Sequence, residues 1–210
     1  MNVTIVKDGK QIKRKLPTHW DNITLKQYMS VMKIISNKEL KSLSRIVKVI
    51  GALTDIDEED IVRLPVKNIN TLGSVMNKFL QTKPNEDLNH IVKLDGVEYG
   101  FHPKLSNITF GEWVDIDSYI TEGVNDTLHK IMAILYRPII AKKDGKYRIQ
   151  EYEPNEESQD LMLNHLTVGD FYGVSVFFSD LGKELLNHSA QSSIRELIAE
   201  HKMDKHQQEI

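Results

Sequence analysis

Apolar residues recur along this chain with two different periods. From 24 to 80 they fall three and four apart: Tyr28, Val31, Met32 and Ile35, then Leu40, Leu43, Val47 and Ile50, then Ile69, Leu72, Val75, Met76 and Phe79. Such residues share one face of a helix, so amphipathic helices are predicted over 24–35, from 40 to a stop at Gly51, and over 66–80. A short helix closed by Leu64-Pro65 lies between the last two. Elsewhere the apolar residues flank Asp-Gly pairs: Val3 and Ile5 with Ile12 and Leu16 around Asp8-Gly9, Ile91 to Leu94 with Val97, Tyr99 and Phe101 around Asp95-Gly96, and Ile139-Ile140 with Tyr147-Arg148-Ile149 around Asp144-Gly145. Asp-Gly tolerates positive φ at both turn positions, so three β-hairpins are predicted. Leu128, Ile131, Met132 and Leu135 return to helical spacing, which predicts a central buried helix ended by Pro138. A further helix is expected over 156–163, and another from Thr167 with Phe171, Val174, Phe178, Leu181 and Leu185 on one side. The 174–178 segment has strand propensity, and the cap before it favours helix. Ile194, Leu197 and Ile198 mark a short amphipathic helix in a charged tail.

Three helix starts share one chemistry. Asn22-Ile23-Thr24 precedes Gln27 and Tyr28, Asn107-Ile108-Thr109 precedes Glu112 and Trp113, and Leu166-Thr167 precedes Asp170 and Phe171. A Thr three residues before Gln, Glu or Asp is a capping box, in which hydroxyl and carboxyl or amide satisfy each other's backbone N–H. The apolar residue before each Thr (Ile23, Ile108, Leu166) is placed to staple onto the aromatic five positions later. Hairpin, proline, Thr box and helix recur three times, the third with the extra helix over 156–163 before its box, which reads either as a degenerate internal repeat or as convergence on favourable hairpin and cap chemistry. The fold expected is α+β, mainly helical, divided at the polar turn Lys83-Pro84-Asn85 into an N-terminal hairpin-plus-helix subdomain over 1–83, a hairpin/helix repeat over 84–188 packed against it, and a tail over 189–210.

Composition narrows the function. A hydrophobic fraction of 40% with 27% charged residues fits a globular chain able to bury a core. A net charge of −3 gives no general attraction to nucleic acid or anionic membrane. Without cysteine there is no disulfide, thiolate or Cys-ligated metal chemistry. The N-terminal residues lack a signal-peptide core, and no apolar run is long enough to span a bilayer, so a soluble intracellular protein is expected.

Candidate chemistry is sparse. The eight histidines are scattered, and His129, near the start of the central helix, reads as a partly buried polar residue rather than a base. No Walker loop, dinucleotide fingerprint or nucleophile elbow occurs, and the acids cluster in Asp55 to Asp60 and Glu151 to Glu157, where solvation explains them. The first of these runs favours a helix N-terminus, since the Gly and distal Glu of a calcium loop are missing. No catalytic residue, metal ligand or cofactor is therefore expected. Lys13, Arg14 and Lys15 on the first hairpin and Lys41, Arg45 and Lys48 along the second helix are the candidate phosphate contacts of a nucleic-acid-associated protein. Tyr172, Phe177, Ile194, Leu197 and Ile198 are the candidates for binding a protein partner, from the aromatic spread on the last capped helix and the apolar stripe of the tail.

The stretch from Asn107 to Asp117 (Asn-Ile-Thr-Phe-Gly-Glu-Trp-Val-Asp-Ile-Asp), followed by Leu128 to Ile139, Lys146 to Ile149 and Val176 to Lys183, resembles small morphogenesis proteins of tailed bacteriophages. Tail-assembly chaperone-like proteins come first and minor virion structural proteins second. The resemblance covers roughly 91–186 and carries over no residue-level site. It implies a non-enzymatic protein, alone or as a homo-oligomer, that binds other phage structural proteins in the bacterial host cytoplasm, transiently or as a permanent virion part.

Overall fold

A computed structural model describes residues 2–7 and 10–178. The tail helix expected over 189–210, with Ile194, Leu197 and Ile198, and the turn Asp8-Gly9 lie outside the described residues. Two strands, β1 (Asn2–Lys7) and β2 (Lys10–Lys15), pair antiparallel from Asn2↔Lys15 to Lys7↔Lys10. Along β1, Val3 and Ile5 are buried with Thr4 exposed between them, the alternation of a strand with one face on the core, while Lys13, Arg14 and Lys15 of β2 are all exposed. A 3-10 turn, Trp20–Asn22, then fixes the path. The Trp20 ring meets Phe79 edge-on at 5.2 Å, and its indole N–H donates to the Thr82 carbonyl at 2.9 Å.

The first Thr box forms as expected. Helix α1 (Leu25–Ser36) begins with the Gln27 N–H donating to Thr24 Oγ1 at 3.3 Å and the Thr24 N–H donating to Gln27 Oε1 at 3.0 Å. The Gln27 amide then donates to the Leu53 carbonyl on α2 (Ser42–Thr54), joining the two helices. Gly51 does not stop α2. The helix passes through it and ends at Asp55, whose φ of 54° supplies the left-handed cap. A Cβ at Gly51 would lie 3.2 Å from the Ile56 carbonyl oxygen, so this glycine admits the returning chain. Leu43, expected on the apolar face, is 73% exposed because it falls in the first turn, beyond the reach of α1. The acid run supplies the first turn of α3 (Glu58–Ile61), and α4 (Val66–Leu80) follows, burying Leu72, Met76 and Phe79.

The second and third hairpins are one sheet. Strands β3 (Ile91–Leu94), β4 (Val97–Phe101), β5 (Tyr136–Lys143) and β6 (Lys146–Ile149) lie in that order, each antiparallel to its neighbour. Asp95 and Gly96, and Asp144 and Gly145, all have positive φ, the geometry for which Asp-Gly was read. Tyr99↔Pro138, Gly100↔Arg137 and Phe101↔Tyr136 join the hairpins edge to edge. Pro138 thus sits within a strand, and the central helix ends three residues before it.

That helix is also longer than its periodicity implied. The capped helix after Thr109 and the central helix run together as α5 (Phe110–Leu135), interrupted at Gly123, where φ is 114° and ψ 110°. Glycine alone tolerates that conformation readily. Thr127 Oγ1 lies 2.6 Å from the Tyr119 carbonyl and 3.0 Å from that of Gly123, so the hydroxyl serves carbonyls freed by the break. Helix α6 (Glu156–His165) precedes α7, helical over 168–178. The 174–178 segment is helical, as its cap favours.

The first and third Thr boxes lie side by side. Leu25 N–H donates to the Leu166 carbonyl at 2.7 Å, Val168 N–H to the Ile23 carbonyl at 2.8 Å, and Thr24 and Thr167 form an antiparallel bridge. Their staples interlock through Tyr28 and Phe171, 5.1 Å apart and edge-on. At the third box both Thr167 N–H and hydroxyl donate to Asp170 Oδ2, while the Asp170 N–H donates to the Thr167 carbonyl, so the expected reciprocal box is only half formed. One hydrophobic cluster runs from Val3 to Val174 and takes residues from both sides of the 83/84 turn. Among the described residues, no helix is long and apolar enough to cross a membrane.

Candidate functional site

The second Thr box behaves differently from the other two, and the reason lies in what its carboxylate does. Thr109 N–H donates to Glu112 Oε2 at 2.6 Å, and Glu112 N–H to Thr109 Oγ1 at 3.3 Å. The other oxygen, Oε1, takes the Arg137 guanidinium from β5 at 2.6 Å. Glu112 is 1% exposed and Arg137 8%, so the pair is buried. His102 Nε2 lies 3.9 Å from the same oxygen. Burial by itself would push the Glu112 carboxyl up; the hydrogen bonds from Thr109 with the Arg137 and His102 charges outweigh it, and the net direction is down. Burial is also the largest influence on His102 and holds it below the ordinary histidine value, opposed by Glu112 and aided by Arg137. One turn on, Asp115 Oδ2 accepts the Tyr152 hydroxyl at 2.6 Å, and the Tyr152 ring lies 5.9 Å from Arg137.

These contacts set the rotation of α5. Glu112, Asp115, Ile116 and Tyr119 face the protein. At about 100° per residue, the opposite face carries Phe110, Trp113, Val114, Asp117 and Ile120. All are exposed: Phe110 82%, Trp113 58%, Val114 45% and Ile120 52%, with Asp117 among them. Trp113 is therefore not a staple on the core. Ile108 packs against the core without it, because inward rotation of Glu112 carries Trp113 outward. The result is an apolar helix face with no partner among the described residues, held in orientation by a buried ion pair.

A cavity of about 40 Å³ lies beside Arg137, Tyr152 and Ser158, and Arg137 Nε is buried without a hydrogen-bond partner. An open trough of about 590 Å³ runs between α1, α2 and α4, lined by Ile35, Ile46, Val49, Ile69, Met76 and Leu80. Among the described residues no group of three or more His, Asp or Glu is arranged to hold a metal ion.

The sequence-derived candidates separate into groups. Tyr172 and Phe177 are half-buried; Tyr172 packs on the core, and Phe177 stands between Phe101 and Phe178 at 6.1 and 5.5 Å. Lys13, Arg14 and Lys15 are exposed along β2, and Lys41 is exposed at the start of α2. Arg45, however, donates to the Asn37 and Leu40 carbonyls, and Lys48 pairs with Glu58 at 2.8 Å. The α2 row is thus partly engaged inside the protein. The face of α5 is not legible from the sequence alone because the pattern assigns Trp113 to a staple on the core. Its signal was present as the spacing 110, 113, 117, 120, 124 on a helix that already had a second apolar stripe at 116, 119 and onward. In comparisons with protein-family models, curated proteins and solved structures, nothing matches this chain.

Proposed function

We propose that this chain is a non-enzymatic protein-interaction component of bacteriophage morphogenesis, tail-assembly chaperone-like, working in the host cytoplasm through the outer face of α5. The single observation in its favour is the exposed set Phe110, Trp113, Val114 and Ile120, since large apolar side chains grouped on one helix face mark interaction surfaces. The resemblance of the 107–117 stretch to phage morphogenesis proteins supplies the context. A permanent place in the virion is the second reading, because the same face suits a lasting interface. The nucleic-acid reading is weakened, as Arg45 and Lys48 are occupied.

Quantitative mass spectrometry of purified particles and of matched infected-cell lysate separates the first two. Abundance in lysate with absence from particles supports an assembly factor; a fixed copy number in particles supports a structural part. Pull-down from the same lysate with wild type and with Phe110→Ser/Trp113→Ser tests the face. A phage structural protein retained by wild type and lost by the variant supports the reading, and equal retention removes α5 from it.

A further inference from the structure

We infer that the occupant of the α5 face is a lysine- or arginine-bearing amphipathic helix of another protein. This rests on the interaction reading above and names the chemistry of its partner. Phe110, Trp113, Asp117 and Ile120, all before the break at Gly123, follow the alternating three-and-four spacing by which two helices pack side by side. One of these four seam positions is an acid. Asp117 is exposed, and its carboxylate has no cation partner among the described residues. Nor does the helix around it supply one: no Lys or Arg occurs between Lys104 and Lys130, while Glu112, Asp115, Asp117, Glu122 and Asp126 all fall there. Glu112 is neutralised from the inside by Arg137 and Asp126 by Lys33 at 2.8 Å. Asp115 meets only the neutral Tyr152 hydroxyl, and Glu122 reaches Lys130 at 3.6 Å.

This charge pattern discriminates among occupants. A second copy paired parallel and in register through the same seam sets Asp117 against its own counterpart, and one paired antiparallel about the seam's centre sets it against Trp113, so neither arrangement supplies a cation. Covering two unpaired carboxylates at an apolar seam costs more than the contact returns. The chain's own residues 189–210 have Arg195, Lys202 and Lys205 against Glu196, Glu200, Asp204 and Glu209, so they bring no positive excess. A foreign helix with an apolar stripe and a Lys or Arg aligned with Asp117 satisfies both the apolar residues and the acid. Attraction between its basic side chain and Asp117 also speeds the encounter.

The test uses two labelled synthetic helical peptides with one shared apolar stripe, the first flanked by lysines and the second by glutamates, titrated against the full chain. The lysine peptide is expected to bind about threefold more tightly at low salt, the worth of one exposed pair with Asp117, and the ratio should shrink towards one as salt rises. Asp117→Lys should invert the preference, Asp117→Asn should reduce it, and Trp113→Ser should abolish binding of both; circular dichroism confirms that each variant is folded. Equal affinity for the two peptides, or a preference that Asp117→Lys leaves intact, overturns the inference. So does a concentration-dependent dimer that Trp113→Ser removes, which gives the face to a second copy. Binding that appears only after residues 189–210 are deleted gives it to the chain's own tail. The interaction reading is judged separately by the lysate pull-down: a phage protein lost with Phe110→Ser/Trp113→Ser, together with indifference to peptide charge, leaves that reading standing and rejects this one.

Discussion

The two halves of α5 are similar in sequence character and opposite in environment. Before Gly123 the helix carries Phe110, Trp113, Val114, Ile116, Tyr119 and Ile120, and four of these six face solvent. After it Val124 is still exposed, and from Leu128 on the apolar residues Leu128, Ile131, Met132, Ala133, Ile134 and Leu135 are all buried. Intrinsic propensity does not separate them; the surroundings do. The second half is enclosed by β5, which continues directly from it, and by α1 and α6. The first half is anchored along one side only, by Glu112 to Arg137 and Asp115 to Tyr152. Helical spacing reports which residues share a face, and the number of faces covered is set by elements distant in the chain. Apolar residues on the outer side of the first half are thus available for a partner, and from Leu128 on the same residue types belong to the core.

The strongest way to break this contrast is at its anchor. Glu112→Ala leaves the Arg137 guanidinium buried without its carboxylate and removes half of a capping box. A loss of roughly 3–5 kcal/mol of unfolding free energy is expected for one deleted partner of a buried pair. Urea denaturation at neutral pH measures it, and a loss below about 1 kcal/mol, the worth of an exposed pair, would show that the pair does not orient the helix. Next comes Leu135→Ala in the enclosed half, at about 2–5 kcal/mol, since a fully buried leucine leaves a cavity. Replacing Gly123 by alanine acts on the junction itself. Its φ of 114° is strained for any L side chain, and a penalty of roughly 1–3 kcal/mol is expected. A stabilised variant would mean that the helix straightens without cost, and the two halves would then not be independently placed.

These contrasts also show where sequence reading succeeds. Helix starts were legible because a capping box is local: Thr24 with Gln27 and Thr109 with Glu112 need only three residues of chain. Asp-Gly hairpins were legible for the same reason. The joining of β4 to β5 was not, because Pro138 read locally as a helix terminator while its strand role depends on Tyr99, far back in the sequence. Gly51 misled in the same way: its value lies in the approach of Ile56, a tertiary fact. Trp113 is the most instructive case. Its cap was read correctly, yet the staple did not follow, since Glu112 found Arg137 and turned the helix. The candidate site was hidden for that reason: exposure is decided by the ion pair, and nothing within 107–117 names the distant arginine.

Acid titration sharpens the comparison with smaller effects. His102 beside the anchor and His129 in the enclosed half are both held below the ordinary histidine value of 6.5, burial being the largest cause in each; Lys130 adds to it for His129 and Asp160 opposes. Below 6.5 the unfolded chain binds protons that the folded chain does not, so these groups make stability rise with pH across that window. Their contribution is complete above 6.5 and is lost as pH falls from there through the lowered folded values. Glu112, depressed in the fold, adds a second loss lower down, below the ordinary carboxylate value of 4.5. Chemical denaturation at pH 7.5 and 5.5 should show wild type weakening and His129→Gln weakening less. An equal change in both would assign the titration elsewhere.

The smallest expected effect on folding is at the outer face, and it matters because it is small. Phe110 is 82% exposed at the first position of α5 and touches little of the core, so Phe110→Ser should alter unfolding free energy by no more than about 0.5 kcal/mol, the usual range for a surface change. Binding of a hydrophobic dye, by contrast, should fall measurably, since the apolar patch loses its most exposed ring. A stability loss of several kcal/mol would place Phe110 inside the core and erase the distinction between the two halves. Unchanged stability with reduced dye binding makes the first half of α5 a surface kept apolar without any benefit to the fold, and a residue that costs solubility while adding no stability needs an explanation outside the chain.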